Sequence, residues 1–380
     1  MKSKTSKLLI LTVIVATFVA AQAAFAQLAI IDLGTLGGPS STPLAINQRG
    51  QVVGNSTTAS GEEHAFFWED GAMTDLGTLG GSYGAWANAI NVRGQIVGYS
   101  FTPSNQAHAF LWDRGAMTDL GTLAGYTYSQ AYAINDRGDV VGVSNNATGE
   151  GRAFLWQNGA MTDLGTLGGS SSVAYLVNER GQVVGNSETA SYDFHPFLWQ
   201  NGVMTDLGTL GGGWAMPLSV NERGQVVGNS ATALGEYHAF FWDNGVLIDL
   251  GTLGGANSSV SRSSINDRGQ VVGYSDTASG EGHAFLWENG TMTDLGTLGG
   301  LYSQAFFINE RGQIVGNSTT TSDETHAVLW ENGTMTDLGT LFGHYWSSAE
   351  GGINERGQIL GVSGSDSDMR AVLWEVKPIP

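Results

Sequence analysis

The sequence predicts an all-β fold, an eight-bladed β-propeller with four antiparallel strands per blade and the last blade closed by the N-terminal strand. Three recurring strings predict it. Asp-Leu-Gly-Thr-Leu begins at Asp32, Asp75, Asp119, Asp163, Asp206, Asp249, Asp294 and Asp337. A tryptophan keeps step at Trp68, Trp112, Trp156, Trp199, Trp242, Trp287, Trp330 and Trp374. Asn-x-Arg-Gly begins at Asn47, Asn91, Asn135, Asn178, Asn221, Asn266, Asn309 and Asn354. Each string occurs eight times, and Asp-Leu-Gly-Thr-Leu recurs every 43 to 45 residues. A fixed period of that length is the signature of a repeat architecture.

The chain opens on a leader. Lys2, Lys4 and Lys7 precede an uncharged apolar stretch over residues 8–20, and Ala24-Phe25-Ala26 supplies small residues for cleavage. Residues 1–26 therefore read as a secretory signal peptide, with a mature chain from Gln27. A retained anchor is the alternative, but the apolar run is short for a span of about 20 residues. The chain has no cysteine, so disulfides and thiolate metal sites are excluded.

Within each repeat four short strands are expected. In the second, residues 86–91 form strand a, Asn91-Val92-Arg93-Gly94 a turn, residues 95–100 strand b and 108–112 strand c. The turn Arg114-Gly115 leads into strand d over 117–123, and Asn-Gly at the same place in other copies is a strong hairpin signal. Strand c reads His-Ala-Phe-Leu-Trp, apolar on both faces of the pleat, so every sheet must lie between two others. Radial stacking achieves this and protects the sheet edges, whereas a parallel β-helix does not turn back through Asn-Gly hairpins. The first copy contributes a spare strand d over 30–36 and the last ends on a lone strand c over 371–374, so pairing them would close the ring. The domain is expected over 27–375, followed by a short tail at 376–380.

The string His-Ala-Phe occurs at His64-Ala65-Phe66, His108-Ala109-Phe110, His238-Ala239-Phe240 and His283-Ala284-Phe285. Together with the Asp-Leu-Gly and Asn-x-Arg-Gly-Gln-x-Val-Gly strings it resembles the HAF-repeat family of extracellular repeat proteins, over nearly the whole mature chain. Arg152, Pro196, Val328 and Arg370 depart from the pattern. The resemblance implies export and a repeat fold, and no activity.

Charge narrows the partners. Without the three leader lysines, 13 basic residues face 35 acidic ones, a formal charge of −22. Phosphate backbones need a basic stripe and none is present, so no nucleic-acid partner is expected and anionic membrane surfaces are poor candidates. A soluble monomer, not a transmembrane protein, is expected. Eight of the 13 basic residues are the Asn-x-Arg-Gly arginines, read as locks between blades, with an anion-binding ring as the alternative. The six strand-c histidines read as structural hydrogen-bonding groups. Adjacent copies should stand on the order of 10 Å apart, too far to share a metal.

Candidate site residues are those that break the pattern. Trp86, Trp214 and Trp346 are the tryptophans outside the repeat position, and they fall in d–a segments with Tyr83, Tyr126, Tyr128, Tyr302 and Tyr345. There they would rim the channel mouth, where aromatic faces suit an extracellular glycan or peptide. His344, the histidine off the repeat position, sits near Glu350; its d–a connection and the one carrying Arg262 are the longest, at 12 residues. No cofactor is required. Calcium on oxygen ligands of Glu62, Glu63, Asp276, Glu281, Asp323, Glu324, Asp366 and Asp368 is an alternative, without EF-hand spacing. The leading expectation is a secreted, non-enzymatic binding or cell-surface module using the d–a/b–c face. An extracellular propeller enzyme acting on polysaccharide and a purely structural matrix component are the alternatives.

Overall fold

The computed structural model describes residues 27–377. The leader expected over 1–26 and residues 378–380 of the tail lie outside the described residues. The described chain is all-β, without a helix, and consists of antiparallel four-stranded units. In the unit of the second repeat, strand a is Ala85–Ile90, b is Ile96–Phe101, c is Ala107–Asp113 and d is Ala116–Asp119. They pair in that order.

The c–d turns adopt the mirror-image hairpin form expected of Asn-Gly. Asn158 and Gly159 have φ of 52° and 84°, and Arg114 and Gly115 have 49° and 89°. Strand d is shorter than the sequence suggested. It stops at the repeat aspartate because that carboxylate takes the N–H two residues on, as in Gly121 N to Asp119 Oδ1 at 2.7 Å, and bends the chain into a turn.

The core lies between units. Val227, Ala239 and Phe241 of one unit pack against Val271, Phe285 and Trp287 of the next. Leu360, Ala371 and Leu373 of the last pack in the same way against Val52, Phe66 and Trp68 of the first. Serines staple the units together: Ala109 N donates to Ser129 Oγ at 2.8 Å and Ala371 N to Ser41 Oγ at 3.1 Å.

The asparagines of Asn-x-Arg-Gly make a second set of links. Asn47 Nδ2 donates to the Asn91 carbonyl at 2.9 Å, and each later asparagine reaches the next. Asn354 donates back to the Asn47 carbonyl at 3.1 Å. The arginines of the same turns are exposed. The asparagines, rather than the arginines expected to lock the blades, link each of these turns to the next, and the N–H of the residue after the asparagine adds a second bond, as from Glu222 N to Asp267 Oδ1 at 2.8 Å, although Arg356 Nη1 does reach the Arg49 carbonyl at 3.1 Å.

The N-terminal strand Gln27–Asp32 pairs antiparallel with Met369–Lys377, with Ile30 opposite Trp374. It begins and ends earlier than the 30–36 expected, since Asp32 starts the turn by accepting from Gly34 N at 2.8 Å. Among the described residues no helix is long and apolar enough to cross a membrane.

Candidate functional site

Strand a of each unit carries an irregularity towards its C-terminal end. In the strand Tyr128–Ile134, Ala131 pairs with Gly142 and Ala133 with Val141, so Tyr132 is bulged out of the ladder. The same slip frees Leu44, Asn88, Tyr175, Leu218 and Phe306. The glycine of Gln-x-Val-Gly, preceded in this copy by Asp139-Val140-Val141, makes room for it: a Cβ on Gly142 would run into the Gln130 carbonyl.

The two longest connections enlarge the bulge. In Gly254–Ile265 the register is lost between Val260 and Ile265, Ser263 takes a φ of 56°, and Arg262 is extruded. In Trp346–Ile353 the break lies between Ser348 and Gly352 and frees Glu350. Extra residues in two copies thus become the two charged side chains of one lumen.

That lumen is a cavity of about 470 Å³ lined by Leu44, Asn88, Tyr132, Tyr175, Arg262, Phe306 and Glu350 among others. The rings of Tyr132 and Tyr175 stand 5.8 Å apart at 55°. Burial pushes both phenols above their ordinary range, while the Arg262 guanidinium opposes the rise at each. Burial also raises the Glu350 carboxyl, because the lumen wall strips water from its charged form. No ion pair joins Arg262 to Glu350 among the described residues. A second cavity of about 530 Å³ runs past Tyr128, Gln130, Asn145 and Asn146, and Tyr132 belongs to the walls of both.

The other sequence candidates do not converge on one platform. Tyr83 and Trp86 stack within their own unit, Trp86 on Tyr99 at 5.1 Å and Tyr83 against Phe101 at 5.0 Å. Trp214 meets Tyr237 edge-on at 6.2 Å, and Tyr302 meets Tyr274 of the neighbouring unit at 5.6 Å. Tyr126 packs on the core, and Tyr128 lines the second cavity. Tyr345 donates its hydroxyl to Asp366, and Trp346 lies against Gly364, where a side chain would clash with its ring.

His344 forms a line with a serine and an aspartate. Its Nδ1 is 3.1 Å from Ser363 Oγ and its Nε2 is 3.3 Å from Asp368 Oδ1. The Ser365 hydroxyl, then His344 and Arg370, hold the Asp368 carboxyl below its ordinary range. The arrangement is not a nucleophile relay. Ser363 is fully buried, and its oxygen already accepts Leu341 N at 3.1 Å and donates to the Trp346 carbonyl at 3.3 Å. Serines at the same place do likewise in other copies, as Ser318 accepts Leu298 N.

The strand-c histidines bind the repeat aspartates. His64 Nδ1 lies 2.8 Å from Asp75 Oδ2, and Arg152 and Arg370 reach Asp163 and Asp32 in the two copies without histidine. Among the described residues no three acidic or histidine side chains come together to hold a metal, and the b–c loop acids proposed for calcium do not form such a group.

A propeller-like all-β fold around a lumen able to admit a small ring is therefore the class of protein this chain represents. No family model and no curated protein matches its sequence. Among solved structures it is similar to the β-propeller domain of the Trilobed protease from Pyrococcus furiosus, at 10% identity and TM-score 0.51, covering 80% of this chain and 99% of that one. It is also similar to a puromycin-hydrolyzing peptidase from Mycobacterium tuberculosis, at 12% identity and TM-score 0.51, covering 90% of this chain and 58% of that one. At such identities the likeness shows the fold. The leading functional expectation is nonetheless corrected, because the first of these is the propeller domain of a protease and the second is a peptidase. The non-enzymatic binding module is set aside in favour of the propeller-enzyme alternative.

Proposed function

We propose that this chain is a secreted, eight-bladed propeller enzyme of the HAF-repeat kind, acting on polysaccharide in its central lumen. The eight Asn-x-Arg-Gly turns, the return bond from Asn354 to Asn47 and the pairing of Gln27–Asp32 with the last strand c support a closed ring over 27–375. The lysine-bearing leader and the family resemblance support export.

One observation carries the activity. The bulged strands bring a carboxyl, a guanidinium and two phenols, from Glu350, Arg262, Tyr132 and Tyr175, into the same lumen. Desolvation by the lumen wall raises the Glu350 carboxyl above its ordinary range, and the phenols offer both an apolar face and a proton. Peptide cleavage by a serine nucleophile has no support in the His344 line, where the hydroxyl is buried and engaged.

The test is a screen of purified protein against neutral, acidic and amino polysaccharides and against peptides, read as loss of chain length. A polysaccharide should be cut, and Glu350→Gln should slow the cut about 100-fold or more. Cleavage of peptides alone, or a Glu350→Gln protein working at full rate, would overturn the assignment.

A further inference from the structure

We propose that the substrate is a uronic-acid polysaccharide and that its chain is broken by elimination, with Arg262 binding the uronate carboxylate. The inference rests on the enzyme reading above and deepens it. Hydrolysis of a glycosidic bond ordinarily calls on two carboxyl groups flanking the bond. Of the residues lining the lumen, Glu350 is the one carboxyl and Arg262 the one cation. A guanidinium with no ion pair to a protein carboxylate is matched to a planar carboxylate on the ligand, which it can grip with two parallel bonds.

The order of strands fixes where the groups stand. Tyr175 lies on Gly168–Val177, Arg262 on Gly254–Ile265 and Glu350 on Trp346–Ile353. In an eight-membered ring Tyr175 and Glu350 face each other across the axis, and Arg262 stands midway between them. A sugar on the axis then has a base on one side, a proton donor on the other and its carboxylate held at the flank.

The chemistry balances without water or an oxidant. The Glu350 carboxylate takes the proton from C5, beside the uronate carboxyl group. The C5–H electron pair becomes the C4=C5 double bond, and the C4–O4 bond breaks with its pair going to O4. A phenol, Tyr175 or its neighbour Tyr132, gives O4 its proton. Arg262 stabilises the negative charge that develops on the carboxylate as C5 loses its proton. Burial supports these roles, since it strengthens Glu350 as a base and keeps the phenols protonated. The second cavity shares Tyr132 with the lumen and is where the rest of the polysaccharide would lie.

The chain's acidity does not forbid an anionic substrate. Beyond a screening length of about 8 Å its surface charges are largely hidden at physiological salt.

The experiment incubates the purified protein with polygalacturonate, with its methyl ester and with neutral galactan, in isotopically labelled water. Polygalacturonate should yield ultraviolet-absorbing unsaturated ends that carry no label. Arg262→Gln should lower that rate about 100-fold or more with an unchanged melting temperature, since its side chain is exposed. The gap between wild type and variant should close on the methyl ester, which has no carboxylate to hold. Labelled reducing ends without ultraviolet absorbance would mean hydrolysis, which overturns the elimination and leaves the enzyme reading standing. Cleavage of neutral galactan alone, or equal rates for wild type and Arg262→Gln, would overturn the role of Arg262. Polygalacturonate that binds through Arg262 but is never cut would sink the enzyme reading and leave carboxylate recognition in place.

Discussion

Replacing Asn221 by alanine tests what holds neighbouring units together. Its side chain makes four hydrogen bonds at 5% exposure. Nδ2 donates to the Asn266 carbonyl of the next unit at 3.0 Å and to Gln225 Oε1 at 2.7 Å. Oδ1 accepts Arg223 N and Gln225 N, both at 3.0 Å. Alanine leaves the Arg223 and Gln225 N–H groups and Gln225 Oε1 without these partners, while the Asn266 carbonyl keeps Gly269 N at 3.0 Å, and each buried orphan costs about 1–3 kcal/mol before relaxation. Water can reach part of a turn, so the expected loss is about 3–5 kcal/mol. The control is Arg223→Ala, two residues away but exposed, for which less than about 1 kcal/mol is expected. Urea unfolding followed by tryptophan fluorescence gives both values. Equal losses for the two variants would refute the asparagine as the lock, and a larger loss for Arg223→Ala would restore the arginine.

Deleting Gln27–Asp32 should remove the partner of the last strand c and the packing of Leu28 and Ile30 on the cluster of Val372 and Trp374, lowering stability by about 2–4 kcal/mol. The bared edge should also make the protein self-associate, visible by light scattering, and an unchanged melting temperature would speak for an open array. Glu350→Gln should stabilise the protein at neutral pH. The folded-state carboxyl is raised, so its contribution is present in full below the unfolded value and is lost as pH rises through the folded one. The variant, which never ionises, should therefore melt higher than wild type at pH 7 and level with it near pH 3; a constant difference across that range would remove burial as the cause.

Much of the scaffold could be read from residue order, because its devices are local. Asn-Gly turns, the two-faced apolar strand c and the spare strands at the two ends each leave a short-range mark. The ends of strand d were misplaced because Asp32 and Asp119 look like strand residues until their side chains are seen bonding to Gly34 N and Gly121 N. Arg262 and Glu350 were found through connection length, and the structure brings them into one lumen. Tyr132, Tyr175, Asn88, Leu44 and Phe306 were missed. Their signal is present, as the strand-a place where the copies disagree in chemistry. A period-two reading of the strand conceals it, since a bulge inserts a residue that belongs to neither face. The loop aromatics misled in the opposite direction: Trp86 and Trp214 stand out by composition, yet Tyr99 and Tyr237, the rings that occupy them, lie on other strands of their own units.

The bulge explains how a symmetric scaffold can carry an asymmetric site. A residue in the ladder must suit its cross-strand partner and the unit stacked on its face, and the repeated Val, Ala and Phe positions are correspondingly uniform. A bulged residue is excused from pairing, and its side chain projects to the axis, where no neighbouring sheet constrains it. Substitution there leaves the interlocking serines, asparagines and apolar layers untouched. Leucine, asparagine, tyrosine, phenylalanine, arginine and glutamate can therefore occupy corresponding places around one lumen. The glycine opposite is the condition for all of them: Gly98, Gly142 and Gly316 each lie where a Cβ would strike the carbonyl that precedes the bulge. Alanine at such a glycine should press the bulge flat and withdraw the lumen residue of that unit. The Gln-x-Val-Gly string, which reads as structural, is thus what exposes the variable residues on which the proposed chemistry depends.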